Sequence, residues 1–97
     1  MYYLYLGAPV GGRIDEAHER AAMEECSRVF ESFCVVRASG VYRGRREEVL
    51  VFHVATSDGG KVTRLAAVLR ERFEQEGVGV VFPTAQGHAY RRVIGVA

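Results

Sequence analysis

The sequence has few of the residues that mark specialised classes of small protein. It contains no tryptophan, two prolines and two cysteines in 97 residues. Disulfide-rich secreted domains of this length carry about four or more cysteines, so Cys26 and Cys34 are expected to be buried, reduced thiols. The eleven glycines are spread along the chain as separators. A low-complexity or linker-like chain is therefore excluded.

An excess of charge and long hydrophobic runs are also absent. The formal net charge is +1, which gives no general preference for nucleic acid or for a membrane surface. No stretch approaches the roughly 18 apolar residues that a membrane-spanning helix needs. The apolar run 2–6 has no basic segment before it and ends at Gly7, so a signal peptide is not predicted. We therefore expect a cytoplasmic protein without a membrane partner.

Apolar residues are abundant, at 48% of the chain, and their spacing alternates between two patterns. Short runs of β-forming residues indicate strands, whereas apolar residues at three- and four-residue steps indicate amphipathic helices. The predicted strands are 2–6, 34–43 with a bulge at Gly40, 48–56 and 78–82, with a further edge strand within 88–96; the predicted helices lie within 14–33 and 62–73. Asp15 is expected at the start of the first helix.

This order of elements predicts the fold class. Strand, helix, strand, strand, helix, strand is the split βαβ pattern of the ferredoxin-like fold. We predict an α+β domain over residues 1–97, with a four-stranded antiparallel sheet, two helices on one face and an extra C-terminal edge strand. The chain has no room for a second hydrophobic core.

The predicted sheet is apolar on both faces. In the third strand, Val49, Val51 and His53 alternate with Leu50, Phe52 and Val54, so neither register gives a polar face. A bare face of this kind exceeds the few hundred Å² of apolar surface typical of monomers. We predict that two copies cover it by forming a homodimer through the outer sheet face. The alternative is that the C-terminal tail covers part of it.

A pocket between the paired sheets is the predicted ligand site. Its predicted lining is Tyr3, Tyr5, Arg37, Tyr42 and His53, and Arg13 is an additional anion-binding candidate in the loop 7–13. Arginine binds phosphate or carboxylate in a bidentate manner, so we expect a polar or anionic, nucleotide- or metabolite-like ligand. The arginines of segment 37–46 fit equally a binding site or a solvated hairpin edge that charge protects from aggregation.

Few features indicate catalysis. No histidine belongs to a metal-binding pattern, and neither a metal nor a cofactor is predicted. No nucleophile, base and orienting group can be assembled from spacing. If the protein is an enzyme, His53 is the expected general base and Tyr5 the phenol donor. The segment 4–7 resembles the first motif of RNA-recognition domains, but the third strand lacks the second motif, so nucleic acid is not an expected partner.

Three segments carry a resemblance to known families. Leu4-Tyr5-Leu6-Gly7, residues 38–44 and residues 73–78 resemble a small bacterial family of unknown function, within the ferredoxin-like group that includes dimeric α+β-barrel proteins. The resemblance implies the fold and no function. Our leading hypothesis from the sequence is a homo-oligomeric ligand-binding protein without catalysis. The alternatives are a cofactor-independent enzyme of the dimeric α+β-barrel type and a protein–protein interaction module.

Overall fold

A computed structural model describes residues 1–9 and 13–94. It contains five strands and two helices, in the order strand, helix, strand, strand, helix, strand, strand. The elements are β1 (Tyr2–Gly7), α1 (Glu16–Ser27), β2 (Cys34–Tyr42), β3 (Arg45–Val54), α2 (Gly59–Arg72), β4 (Val78–Thr84) and β5 (Gly87–Val93). The loop predicted over residues 7–13 and the edge strand predicted within 88–96 each fall partly outside the described residues.

The strands form one antiparallel sheet in the order β2-β3-β1-β4-β5. The first four strands have the arrangement of a ferredoxin-like fold, and β5 extends the sheet beyond β4. The predicted fold class is therefore confirmed, including the extra C-terminal edge strand.

The hydrophobic core lies between the two helices and one face of the sheet. Alternate residues of the central strands, such as Leu4, Leu6 and Phe52, are fully buried there. Leu65 and Leu69 of α2 belong to the same buried cluster. Each such side chain contributes about 1.5–3 kcal/mol through removal of its apolar surface from water. This packing leaves the opposite, outer face of the sheet free of helices.

The β2–β3 hairpin is more regular than predicted. The pairing continues without a bulge through Gly40, which lies opposite Glu47, so the expected bulge is wrong. The chain reverses at Arg43 and Gly44, whose φ values are +51° and +75°. Positive φ at both central residues is typical of a two-residue type I′ turn, which matches the twist of the strands. Because the turn is this short, β3 begins at Arg45.

Two further boundaries differ from the prediction. Helix α1 is shorter, because the apolar residues after Ser27 pack on the core from irregular chain. Its start is as expected: the carboxylate of Asp15 accepts a hydrogen bond from the His18 amide at 2.8 Å. Pro83 lies inside β4 instead of ending it. It is tolerated there because the pairing of β1 with β4 ends at Val81, so no ladder partner on that side needs its missing N–H.

The two cysteines are free thiols with different surroundings. Cys26 is buried in the core, and burial raises the pKa of its thiol to about 12. Cys34 is exposed at the start of an edge strand, which corrects the expectation that both are buried. Within the described part of the chain, no helix is long and apolar enough to span a membrane.

Candidate functional site

The outer face of the sheet carries aromatic and aliphatic side chains. Tyr3 and Tyr5 of β1 lie opposite His53 and Val51 of β3, and all four point away from the helices. The C-terminal segment 87–93 pairs edge-on with β4, and its side chains cover part of this face: Tyr90 lies over Gly79, and the ring of His88 lies 6.0 Å from that of Tyr3. The helices pack on the opposite face, so the rest of the outer face is open.

The outer face is concave. The edge strands β2 and β5 are separated by three other strands, so a flat sheet would hold them about 19 Å apart. Nevertheless, the guanidinium of Arg92 on β5 donates a hydrogen bond to the hydroxyl of Tyr42 on β2 at 3.1 Å. The contact is possible because the hairpin extends past the end of β1, where pairing stops at Gly7 and Val49. The sheet curls toward its own outer surface and forms an open pocket there.

This pocket has a volume of about 350 Å³. Four glycines form part of its lining, three of them on strands and one just before β4, and its other lining residues are aromatic, aliphatic and charged. The lining consists of Tyr5, Gly7, Gly40, Val41, Tyr42, Glu47, Val49, Gly77, Gly79, Val81, Tyr90 and Arg92. We call it the outer-face pocket.

The glycines are required by close approach of neighbouring groups. A Cβ atom at Gly79 would lie 2.6 Å from the ring of Tyr90, and one at Gly77 would lie 2.4 Å from Nε of Arg92. Larger residues at these positions would push the two side chains away from the sheet. The absence of side chains therefore lets Tyr90 and Arg92 lie close to the sheet, where they form part of the pocket wall.

A polar cluster lies at the rim of the outer-face pocket, where the edge strands meet. The hydroxyl of Tyr42 donates to the Glu76 carboxylate at 3.1 Å, and Arg43 donates to the same carboxylate at 3.1 Å. Arg92 lies 3.6 Å from it. The guanidinium carbons of Arg43 and Arg92 lie 5.1 and 5.4 Å from the centre of the Tyr42 ring, which is within cation–π range. We call Tyr42, Arg43, Glu76 and Arg92 the rim cluster.

The rim cluster holds a carboxylate that stays ionised at neutral pH. The hydrogen bond from Tyr42, followed by the charge of Arg43, lowers the pKa of Glu76. Two guanidinium groups nevertheless share this one carboxylate. The rim therefore carries a net positive charge beside a mainly apolar and aromatic pocket.

Four of the six residues predicted to form a site lie on the outer face. Tyr5 and Tyr42 line the outer-face pocket. Tyr3 and His53 lie farther along the same face, with their rings edge to face and 4.8 Å between centroids. The structure therefore brings Tyr3 together with His53, whereas His53 is not part of the pocket that contains Tyr5.

Arg37 and Arg13 lie elsewhere. Arg37 pairs with Leu50, a residue of the core face, so it points toward the helices and forms an ion pair with Glu19 of α1 at 3.2 Å. The grouping of Arg37 with Tyr5 and His53 is thus incorrect, because strand alternation sends its side chain to the other face. With Arg13 and Arg46 it borders a separate depression of about 660 Å³ that also contains Asp15, Glu47 and Glu48.

Of the twelve residues that line the pocket, the sequence assigned only Tyr5 and Tyr42 to a site. Tyr90 and Arg92 come from β5, which the sequence indicated only weakly, and Glu76 of the rim cluster comes from the turn before β4. Tyr90 pairs with Val81, a residue of the outer face. Arg92 follows two positions later on the same strand, so strand alternation puts its side chain on the outer face as well. Within the described ranges 1–9 and 13–94, no group of three or more histidine, cysteine or acidic residues is arranged to hold a metal ion.

Two solved structures share this fold. One is a phage SAM lyase in complex with S-methyl-5'-thioadenosine, with a TM-score of 0.65 and 22% identity over 94% of this chain and 87% of the other. The second is a phage SAM lyase in its apo state, with a TM-score of 0.61 and 23% identity over 99% of this chain and 82% of the other. No protein-family model and no curated protein matches the chain.

These neighbours correct the leading hypothesis from the sequence. At 22–23% identity the likeness shows a common fold. The protein with that fold is an enzyme, a lyase, and one of its structures holds a nucleoside thioether. The prediction of a ligand-binding protein without catalysis is therefore wrong. Its basis was the absence of a recognisable catalytic set in the sequence, and absence of a motif does not exclude chemistry that depends on the substrate's own reactivity.

Proposed function

We propose that this protein is an enzyme that cleaves S-adenosylmethionine (SAM), and that the outer-face pocket binds the substrate. The observation that carries this proposal is the curled, aromatic-lined pocket on the open face of the sheet. It lies in a fold shared with an enzyme that acts on SAM.

The size and lining of the pocket suit an adenosine thioether. Small-molecule pockets span about 300–1,000 Å³, and the volume of about 350 Å³ is in the lower part of that range. Tyr5 and Tyr90 provide rings on which an adenine can stack. The glycines allow Tyr90 and Arg92 to lie close to the backbone of the sheet, where both side chains can contact a ligand.

The charge of SAM also matches this lining. The sulfonium is a permanent cation, and cations bind favourably over the faces of aromatic rings. Glu47 is the acidic residue among the pocket's lining side chains that the structure describes, and we assign to it the electrostatic attraction of the substrate. S-methyl-5'-thioadenosine has no positive charge and gains nothing from Glu47.

Cleavage requires that the bond between the sulfonium sulfur and the four-carbon amino-acid chain breaks. The electron pair stays on sulfur, which leaves neutral S-methyl-5'-thioadenosine. The carbon fragment is completed either when its own carboxylate oxygen attacks the carbon that leaves sulfur, or when a β-proton passes to a base, for which the pocket supplies the Glu47 carboxylate, and a double bond forms. Both routes balance without water, metal or redox cofactor. Because positive charge on sulfur disappears, the apolar Val49 and Val81 favour the product side.

The remaining expectations stay predictions. We infer a homodimer through the outer sheet face, in which the outer-face pocket opens into the space between the sheets. The exposed aromatic and aliphatic residues of that face, including Val36 and Tyr90, support it, and a monomer in sedimentation velocity would exclude it.

We also keep the predictions of one domain over residues 1–97, of a cytoplasmic location, and of kinship with the small bacterial family and the dimeric α+β-barrel proteins.

Incubation of the purified protein with SAM tests the proposed function. We expect S-methyl-5'-thioadenosine to accumulate with time in proportion to protein concentration, as measured by liquid chromatography and mass spectrometry. Tyr5→Ala should reduce the rate at limiting SAM about 5- to 150-fold, because it removes a stacking ring worth about 1–3 kcal/mol. Chromatographic comparison of the four-carbon fragment with standards distinguishes attack by its own carboxylate from loss of a β-proton.

Val68→Thr is the matched control. It changes an exposed residue of α2 that is outside both the outer face and the pocket lining, and its rate should equal that of the unmodified protein. No product above the rate of spontaneous SAM decay, or equal rates for Tyr5→Ala and Val68→Thr, would refute the proposed role of the pocket.

A further inference from the structure

We propose that Arg92 binds the carboxylate of the amino-acid end of the substrate, and so distinguishes SAM from its thioether product. This inference rests on the proposed function and adds to it a residue that determines specificity. Its basis is the position of Arg92 at the boundary between the outer-face pocket and the rim cluster.

Arg92 has the geometry of an open anion-binding group. Among the described residues, its guanidinium makes one hydrogen bond, from Nη2 to the neutral hydroxyl of Tyr42 at 3.1 Å. Arg92 also forms an ion pair with the Glu76 carboxylate at 3.6 Å, which is longer than the 3.1 Å contact between Arg43 and the same carboxylate. A guanidinium offers five N–H donors arranged for bidentate binding of a carboxylate. Most of the donors of Arg92 therefore remain free for a ligand.

The charge of the rim favours a single added anion. Arg43 and Arg92 share one carboxylate, that of Glu76, so one further carboxylate would neutralise the cluster. The side chain of Arg92 lines the pocket, whereas that of Arg43 does not. The anion is thus expected at Arg92, with Glu76 remaining on Arg43.

Gly77 leaves free the space that the Arg92 side chain occupies. A Cβ at residue 77 would lie 2.4 Å from Nε and 2.9 Å from Cγ of Arg92. The obstructing atoms belong to a flexible side chain, so an alanine here displaces the guanidinium at little cost to the fold. Gly77→Ala therefore moves the charge without removing it.

Binding of three ligands to Arg92→Gln tests the inference. The ligands are SAM, decarboxylated SAM, which keeps the sulfonium and the amine, and S-methyl-5'-thioadenosine. Isothermal titration calorimetry should show a dissociation constant for SAM that rises about 10- to 100-fold, as expected for loss of a charge-assisted hydrogen bond. The constants for the other two ligands should change less than about threefold. Gly77→Ala should show the same pattern.

Arg91→Gln is the matched control. It removes the guanidinium at the neighbouring position of β5, from a side chain that donates a hydrogen bond to Thr63 at 3.0 Å and is outside the pocket lining. Its affinity for SAM should fall less than about threefold. If Arg92→Gln weakens all three ligands equally, or weakens none, the inference is wrong while the proposed function stands. If the unmodified protein binds neither SAM nor the thioether, both fail.

Discussion

Single residues decide whether this sheet has a site at all. Gly77 and Gly79 leave space that Arg92 and Tyr90 occupy, and this makes the open face of the sheet a pocket. From the sequence alone, glycines at these positions indicate the end of a strand or a weakly β-forming residue. Their function depends on which side chain crosses them from the neighbouring strand, and that is a property of register.

The assignment of the predicted site residues likewise depends on the register of the strands. Tyr5 and Tyr42 could be assigned to the pocket from the sequence, because aromatic residues on a face without helices need cover. Arg37 could not be assigned correctly. It lies five residues before Tyr42 on the same strand, and an odd separation puts two side chains on opposite faces when the pairing has no bulge. The expected bulge at Gly40 would have reversed this parity.

His18 makes stability depend on pH at the scale of one side chain. Its ring packs against Phe73 at 4.7 Å, and its Nε2 is buried without a partner in the described structure. Burial lowers the pKa of His18 from 6.5, and the nearby charge of Asp15 only partly opposes this. Protonation therefore favours the unfolded chain. The contribution of neutral His18 is complete above pH 6.5 and is lost as the pH falls below that value.

Urea unfolding at several pH values checks this prediction. Between pH 7.5 and about pH 5 the free energy of unfolding should fall more in the unmodified protein than in His18→Gln, whose side chain cannot be protonated. The difference between the two curves isolates His18 from the other titrating groups. Parallel curves over this range would mean that the ring is hydrated in solution.

At the scale of elements, the sequence was sufficient to predict the order of the strands and helices and which segments form each type. The alternation of β1 and β3 and the apolar stripe of α2 come directly from the spacing of buried residues, such as Leu65 and Leu69. The ends of elements were less predictable, since they depend on local hydrogen bonds. The type I′ turn at Arg43 and Gly44 requires an arginine with positive φ, which residue preferences disfavour.

Glu25 links the two helices. It is buried, and its Oε1 accepts hydrogen bonds from Arg28 of the following turn and from Arg72 at the end of α2. Glu25→Gln should lower the free energy of unfolding by about 1–2 kcal/mol, because the remaining amide cannot pair with two cations. The melting temperature should fall by several degrees, about 4–8 °C per kcal/mol for a chain of this size.

Glu24→Gln is the control for this effect, because Glu24 is the adjacent, exposed acid of α1. Its melting temperature should stay within about 2–4 °C of the unmodified value, since a surface change alters the free energy of unfolding by less than about 0.5 kcal/mol. Equal melting temperatures for Glu25→Gln and Glu24→Gln would show that the pair between the helices adds nothing to stability.

At the scale of the whole molecule, the curl of the sheet connects fold to function. The sequence predicted an open apolar face and explained it by a second copy of the chain. The structure shows that the face is also concave, because the hairpin reaches over the end of β1 until Tyr42 contacts Arg92. Those residues are 50 positions apart and lie on opposite edges of the sheet. No local pattern encodes such a contact, since it arises from the accumulated twist of five strands.

The location of a bound nucleoside thioether tests this account most directly. Titration of the ¹⁵N-labelled protein with S-methyl-5'-thioadenosine can be followed by NMR, where glycine amides are well separated. We predict the largest shifts at Gly7, Gly40, Gly77 and Gly79, with little change at Gly59 and Gly60 at the start of α2. Shifts centred on α2, or on the depression around Arg13 and Arg46, would contradict the assignment of the outer-face pocket as the substrate site.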